Sequence, residues 1–219
     1  MINPSLTNFE GVSMKPYLLI FIALFIASCS TDDTSINTGV ADPTTKEYYP
    51  LTVGSYWVYD VYEADTSWTK LTLLQTDSVV VIKDTVINGS TYVLVRRSFF
   101  GDTFYRDSSG IIVQGDGIPV MSITPGITLL NNYTIPLDTA YTISLQMAMG
   151  DSLITVPAGQ FQAKVAIGSV DSKESVAGWM KHRTYYSAFA RNVGCIFQRA
   201  LWLRSGGGFE YRLRRYSIK

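Results

Sequence analysis

Residues 140–150, AYTISLQMAMG, alternate between apolar and polar side chains with a period of two. One face carries the apolar members of the stretch: Tyr141, Ile143, Leu145, Met147 and Met149. Successive side chains of a strand point to opposite faces of a sheet, whereas a helix repeats every 3.6 residues. The stretch therefore predicts a β-strand with one buried face.

The same period recurs on both sides of this strand, in residues 56–63, 92–100 and 161–167. Turn residues separate the runs: Asn88-Gly89 predicts a tight hairpin, and Pro157-Ala158-Gly159 predicts a second one. Near the C-terminus the apolar phase changes at Arg214-Arg215, which predicts a β-bulge.

Helical spacing is nearly absent, with short helices conceivable only at residues 171–181 and 187–191. About ten short strands with polar outer faces favour antiparallel pairing. We predict a mainly β fold, built as a single antiparallel curved sheet of half-barrel or barrel-like form, with at most one or two short helices.

The N-terminus has the pattern of an export signal. Lys15 precedes an apolar run over residues 17–27, which is shorter than the roughly 20 residues of a membrane-spanning helix. The run ends in Ile26-Ala27-Ser28-Cys29, which resembles the lipobox of bacterial lipoproteins. We predict a signal peptide over residues 1–28 and a lipid attached to Cys29. Because residues 1–13 do not suit a signal, we expect Met14 to be the true initiator.

A polar segment follows the predicted lipidation site. Residues 29–46 are rich in Ser, Thr and Asp and cannot bury enough apolar surface to fold, so we predict a tether there and one β-rich domain over residues 47–219. Ser30 is compatible with sorting to the outer membrane, and Asp32-Asp33 resembles an acidic surface-export signal. We expect a lipid-anchored outer-membrane protein, on either the periplasmic face or the cell surface.

Composition excludes several classes of function. The 219 residues carry 18 basic and 18 acidic side chains, so the basic excess typical of nucleic-acid-binding proteins is missing. With Cys29 assigned to lipid, Cys195 has no partner for a disulfide, and one histidine cannot complete a His/Cys zinc site. We expect no cofactor, no metal and no nucleic acid, and a monomer.

Three phrases resemble a group of uncharacterised lipoproteins of Bacteroidetes. They are Tyr48-Tyr49-Pro50-Leu51-Thr52-Val53-Gly54-Ser55-Tyr56-Trp57-Val58-Tyr59, then Val156-Pro157-Ala158-Gly159-Gln160-Phe161, then Tyr185-Tyr186-Ser187 with Asn192-Val193-Gly194. The group's patterns are YxPLxVGxxWxY, VPAGxF and YYxxxVG, the last of which is widened here by Phe189-Ala190-Arg191. The resemblance implies an exported β-rich domain related in shape to half-barrel envelope lipoproteins, and it implies no activity.

Catalytic constellations are hard to assemble from this sequence. A nucleophile such as Cys195 would need His182 as its base, and neighbouring Lys181 and Arg183 would lower the basicity of that histidine. Paired carboxylates could serve glycoside hydrolysis, and the candidates are Asp60, Glu63, Asp65 and Glu210. We therefore assign no catalytic residue.

Aromatic residues are the remaining feature, with 14 Tyr, 10 Phe and 4 Trp. We select Trp57, Tyr59, Trp179 and Trp202 as candidate ligand-binding residues, although strand aromatics also serve core packing. The leading hypothesis is a lipid-anchored, non-catalytic binding or scaffold domain of the cell envelope with an apolar or carbohydrate ligand. The alternatives are a surface carbohydrate-binding accessory lipoprotein and a carboxylate-dependent hydrolase.

Overall fold

The chain folds into strands that hydrogen-bond side by side in one antiparallel sheet. The computed structural model describes residues 43–135, 138–173, 181–203 and 206–219. Its elements are α1 (Thr45–Tyr48), β1 (Tyr56–Ala64), β2 (Leu71–Ile87), β3 (Ser90–Arg97), β4 (Gly101–Asp107), β5 (Ile111–Gln114), β6 (Pro119–Ser122), β7 (Thr128–Ile135), β8 (Asp138–Met147), β9 (Ser152–Val156), β10 (Gly159–Ser172), β11 (His182–Ala190), β12 (Gly194–Leu201) and β13 (Gly208–Ser217).

The strand order is β6-β5-β4-β3-β2-β1-β13-β12-β11-β10-β8-β7, and β9 pairs with β10 beside this path. The two end strands, β6 and β7, approach each other, and the Ser122 N–H lies 3.5 Å from the Met147 sulfur of β8. The sheet is thus a nearly closed barrel, which confirms the predicted fold class.

The turn chemistry predicted from the sequence is confirmed at both hairpins. Asn88 and Gly89 take φ angles of 49° and 78° between β2 and β3, as a two-residue turn with positive φ at both positions requires. Val156 pairs with Gly159 across the second hairpin. The predicted bulge is also confirmed, because Val58 pairs with Arg215 and Tyr59 with Leu213, which leaves Arg214 as the extra residue.

Two local predictions are wrong. Residues 187–191 do not form a helical turn, since Ser187 lies in β11 and pairs with Ala166 of β10. Residues 161–167 do not keep one phase either: Val165 is buried, but so is the next residue, Ala166, while Ile167 is exposed. The buried face changes where β10 exchanges its partner strand from β9 to β8, and at this point the Ala148 N–H donates to the Val165 carbonyl.

The barrel has two distinct ends. We call the end where β1 begins proximal and the end where β1 finishes, at Ala64, distal. The proximal end is covered by α1 and the segment that follows it, and Tyr48 of α1 is buried against the core. Thr45 and Lys46, the last residues of the predicted tether, form the start of α1. Across the described residues, no helix has the length and apolarity needed to cross a membrane.

Candidate functional site

The proximal end is a packed plug that joins two of the three sequence phrases. The Trp57 indole N–H donates to the Val193 carbonyl, and Trp57 itself is buried. A β-carbon on Gly194 would lie 3.2 Å from the Trp57 indole nitrogen and 3.3 Å from Pro50 Cδ. Gly194 also has a φ of 99°, where side chains are strained. The tryptophan, proline and glycine of these phrases therefore stabilise the fold.

Next to the plug, the barrel contains an interior chamber of about 70 Å³. Polar side chains line much of it, among them Tyr49, Tyr59, Arg97, Tyr105, Gln114 and Gln198. A water molecule needs roughly 10–15 Å³ of such space, whereas typical ligand pockets measure about 300–1,000 Å³. The chamber is therefore of a size for a few waters and too small for an acyl chain or a sugar ring.

A buried ion pair, which the sequence did not lead us to predict, lies at the chamber wall. Asp77 is fully buried, and its Oδ2 accepts from Arg97 Nε at 3.1 Å. The other oxygen accepts from the Ser98 hydroxyl and the Phe99 N–H. Burial lowers the pKa of Arg97, but attraction by Asp77 and nearby tyrosines outweighs it and raises the pKa. The carboxylate is thus fully partnered and structural.

The only described cysteine, Cys195, lines the chamber and is not activated. Burial raises the pKa of its thiol to about 12, and the sulfhydryl donates to the Phe197 carbonyl at 3.4 Å. A catalytic cysteine needs a lowered pKa, so this environment opposes a role as nucleophile. The Tyr59 hydroxyl donates a hydrogen bond to the Cys195 carbonyl at 2.7 Å, and burial also raises the pKa of that tyrosine.

We expect the Cys195 thiol to make stability decline at alkaline pH. In the unfolded chain a thiol ionises near pH 8.5, whereas in the folded chain Cys195 keeps its proton up to about pH 12. Between these values the folded state binds more protons, so raising the pH favours unfolding, by at most about 1.4 kcal/mol per pH unit. Urea unfolding at several pH values measures the slope. Cys195→Ala should reduce it, and an unchanged slope would contradict this assignment.

At the distal end, an open cleft of about 390 Å³ lies between the β1–β2 turn and the β12–β13 turn. Trp202 forms one wall, held by three hydrogen bonds of the main chain. Arg183 donates to the carbonyls of Trp202 and Leu203 at 2.6 and 2.8 Å, and the Trp202 N–H donates to the Gly207 carbonyl. The Phe209 ring meets the indole edge-on, with centroids 5.3 Å apart. The indole therefore has a defined position.

The opposite side of the cleft carries polar side chains from β1, β2 and the turn between them. Glu63, Asp65, Lys70 and Thr72 line it. The Asp65 carboxylate is engaged within its own turn. Its Oδ1 accepts hydrogen bonds from the N–H groups of Thr69 and Lys70, and its Oδ2 accepts one from the Ser67 hydroxyl. Hydrogen bonds from the Lys70 backbone and the Ser67 hydroxyl lower the pKa of Asp65. The Glu63 side chain has no hydrogen bond or ion pair with any described residue.

The structure separates the predicted ligand-binding residues. Trp57 and Tyr59 belong to the plug and the chamber wall, and their polar atoms are satisfied by backbone carbonyls. Trp202 lines the distal cleft. Trp179 and the predicted lipidation site, Cys29, lie outside the described residues, as do the signal peptide and most of the tether. Trp202 is thus the candidate that the structure leaves in contact with an open cleft.

The remaining predicted carboxylates are held by arginines on the outer face of the sheet. Glu210 is buried, with hydrogen bonds from Arg199 at 2.9 Å and Arg212 at 2.8 Å. Asp60 accepts a hydrogen bond from Arg214 at 3.2 Å.

His182, which is exposed, lies 2.6 Å from Asp171. Within the described ranges, no three His, Cys, Asp or Glu side chains gather as a metal site would require.

No protein-family model matches the sequence, and no curated protein matches it significantly. Two solved structures are similar in fold. One is a protein from Bacteroides fragilis NCTC 9343 described as exported, with a YmcC-like fold, at a TM-score of 0.46 and 12% identity over 78% of this chain and 98% of that one. The other is from Parabacteroides distasonis ATCC 8503 and is described as a lipoprotein, at a TM-score of 0.44 and 14% identity over 81% of this chain and 100% of that one.

Proposed function

We propose that this chain is a lipid-anchored, non-catalytic binding domain of the bacterial cell envelope, with its ligand in the distal cleft. The observation that carries the proposal is the placement of the cleft at the end of the barrel opposite α1. At α1, Thr45 Oγ1 donates to the Gly110 carbonyl and Arg191 forms an ion pair with Glu47. A lipid at Cys29 would hold this proximal end to the membrane.

The length of β1 separates the two ends. Nine residues at about 3.4 Å each span roughly 30 Å. A domain tethered at the proximal end would therefore present the distal cleft away from its attachment point. Such an arrangement suits capture of a ligand outside the membrane surface.

Three described groups support a non-catalytic assignment. Cys195 has a raised pKa, His182 is bonded to Asp171 on the surface, and Glu210 is neutralised by two arginines. Each of these side chains is engaged in holding the fold or lies apart from the others. A nucleophile, its base and an orienting group within hydrogen-bond reach would be needed for covalent catalysis.

We expect Cys29→Ser to abolish lipid attachment, because the thiol of Cys29 would be the site of acylation. Cells expressing each variant are fed an alkynyl fatty acid, and the label on the chain is measured after membrane fractionation. Two acyl chains give stable anchoring, so the unmodified variant should leave the membrane fraction. Cys195→Ser is the matched control and should keep both label and location. Label on the Cys29→Ser chain would contradict the proposal, and protease added to intact cells distinguishes the two faces of the outer membrane.

A carboxylate-dependent hydrolase is the second candidate, favoured by one observation. Glu63 and Asp65 line the same cleft, although Asp65 is engaged by its turn. Glycoside hydrolysis uses two carboxyl groups, one of which must donate a proton. Release of reducing ends from a polysaccharide by the wild-type chain, and loss of that release in Glu63→Gln, would establish this function in place of simple binding.

A further inference from the structure

We infer that the distal cleft binds a neutral saccharide, with one sugar ring against the Trp202 indole and its hydroxyl groups on Glu63, Lys70 and Thr72. This inference rests on the proposed function and names the ligand class of the same cleft. It is carried by the combination of an aromatic wall and unpartnered polar groups that face one open space.

The Trp202 wall has the properties that a stacking surface needs. Its main chain is clamped from both sides, by Arg183 on the carbonyl and by Gly207 on the N–H. Phe209 supports the ring from inside the barrel. A rigid aromatic residue loses little conformational freedom on binding, so it contributes contact area at low entropic cost. The apolar face of a sugar ring is a flat surface of C–H groups that matches such a wall.

The polar side chains that line the cleft with Trp202 are free to accept and donate hydrogen bonds to a ligand. The side chains of Glu63 and Lys70 form no hydrogen bond or ion pair with the described residues, and Thr72 is exposed. A carboxylate accepts two hydroxyl groups, an ammonium donates up to three hydrogen bonds, and a hydroxyl does both. Each hydroxyl group of a sugar both donates and accepts hydrogen bonds, so it can pair with any of these three side chains. The cleft therefore supplies both partners that a sugar ring requires.

Size and charge narrow the ligand class. At about 390 Å³ the cleft falls in the range of ligand pockets, whereas the interior chamber of about 70 Å³ does not. Among the side chains that line the cleft, the two negative charges of Glu63 and Asp65 exceed the positive charge of Lys70, which disfavours an anionic ligand. An acyl chain would bury these charged groups without partners, which is costly. A neutral sugar meets neither penalty.

The close contact between the two turns fixes the shape of the cleft. A β-carbon on Gly207 would lie 2.3 Å from the Ala64 carbonyl oxygen, so only glycine lets the β12–β13 turn approach β1 this closely. The φ of Gly207, 124°, also favours glycine. Trp202 and Glu63 both line the cleft beside this contact.

The test uses the full-length lipidated chain, solubilised in detergent and run in native gels that contain starch, xylan, mannan or a mixed-linkage glucan. We expect retardation by at least one of these neutral polysaccharides. Trp202→Ala should weaken that binding by roughly tenfold or more, as for a central aromatic contact. Trp202→Phe should recover part of it, since a ring remains, and Glu63→Ala should weaken binding about tenfold or more by removing a charged acceptor. Tyr216→Ala, an exposed aromatic residue at the proximal end, is the matched control and should bind as the wild type does.

Two outcomes would overturn the inference. One is migration unaffected by every polysaccharide, and the other is equal retardation of the Trp202→Ala and Tyr216→Ala variants. If fatty-acid labelling of Cys29 persists in either case, the lipid-anchored envelope protein stands and the saccharide ligand falls. Circular dichroism of each variant checks that the sheet has formed, and Glu63→Ala, which alters an exposed side chain, keeps the test decisive if Trp202→Ala fails to fold.

Discussion

Replacing Arg97 by methionine should lower the free energy of unfolding by about 3–5 kcal/mol, the cost typical of breaking a buried ion pair. The reason is Asp77, whose side chain is fully buried and would be left with a charge that no cation balances. The hydroxyl of Ser98 and the N–H of Phe99 would remain as partners, but they carry no full charge. Urea or guanidinium unfolding followed by circular dichroism measures the change.

The neighbouring residue offers a matched control. Arg96 also pairs with an aspartate, Asp102, but the two side chains are 58% and 39% exposed. Arg96→Met should therefore cost less than about 1 kcal/mol. The double variant Arg97→Met with Asp77→Asn should recover part of the loss, since no unbalanced charge is left. Equal costs for Arg96→Met and Arg97→Met would show that Asp77 is not held as described.

Trp57→Ala should lower the free energy of unfolding by about 3–5 kcal/mol, the usual cost of truncating a large buried aromatic side chain. Trp57 is 6% exposed, and its indole N–H donates to the Val193 carbonyl. The substitution removes core packing of the proximal plug and leaves that buried carbonyl without its donor. Thermal and chemical unfolding both report the effect.

Trp57→Phe separates packing from hydrogen bonding, and it should cost less than Trp57→Ala because a ring remains. Trp202→Ala is the informative comparison. Its ring lines an open cleft, so its truncation should cost less stability than that of Trp57 while weakening ligand binding. A larger loss of stability at Trp202 than at Trp57 would reverse the roles that we assign to them.

These two tryptophans show where sequence reasoning stops. Alternation and turn residues predicted the strands well, because side-chain period and positive-φ turns are local properties. Trp57 and Trp202 both stand in strand-like sequence, and no local pattern distinguishes a plug residue from a cleft wall. The difference arises from contacts with Val193 and Gly207, which depend on how distant segments pack.

Asp77 is a residue that the sequence could have revealed. It shares parity with Val79 and Val81 in β2, so its side chain points to the same face as two apolar residues. An acid on an apolar face predicts burial with a cation, and Arg97 stands at a compatible parity across the Asn88-Gly89 hairpin. The phase change in β10 had no such signal, because it follows from an exchange of partner strands.

The pairing of β1 with β13 has a consequence for the order of folding. Apart from that ladder and the β8–β10 ladder, each ladder joins strands that are adjacent in the chain. In the β1–β13 ladder, by contrast, Val61 pairs with Tyr211, about 150 residues later in the sequence. Loop closure over such a distance is slow, and contacts of this kind dominate the folding time of a domain. The hairpins can form as soon as each is synthesised, but one edge of β1 stays open until the last strand arrives. For a chain exported by the predicted signal peptide, this delay would keep the barrel open while the C-terminal strand is still in transit.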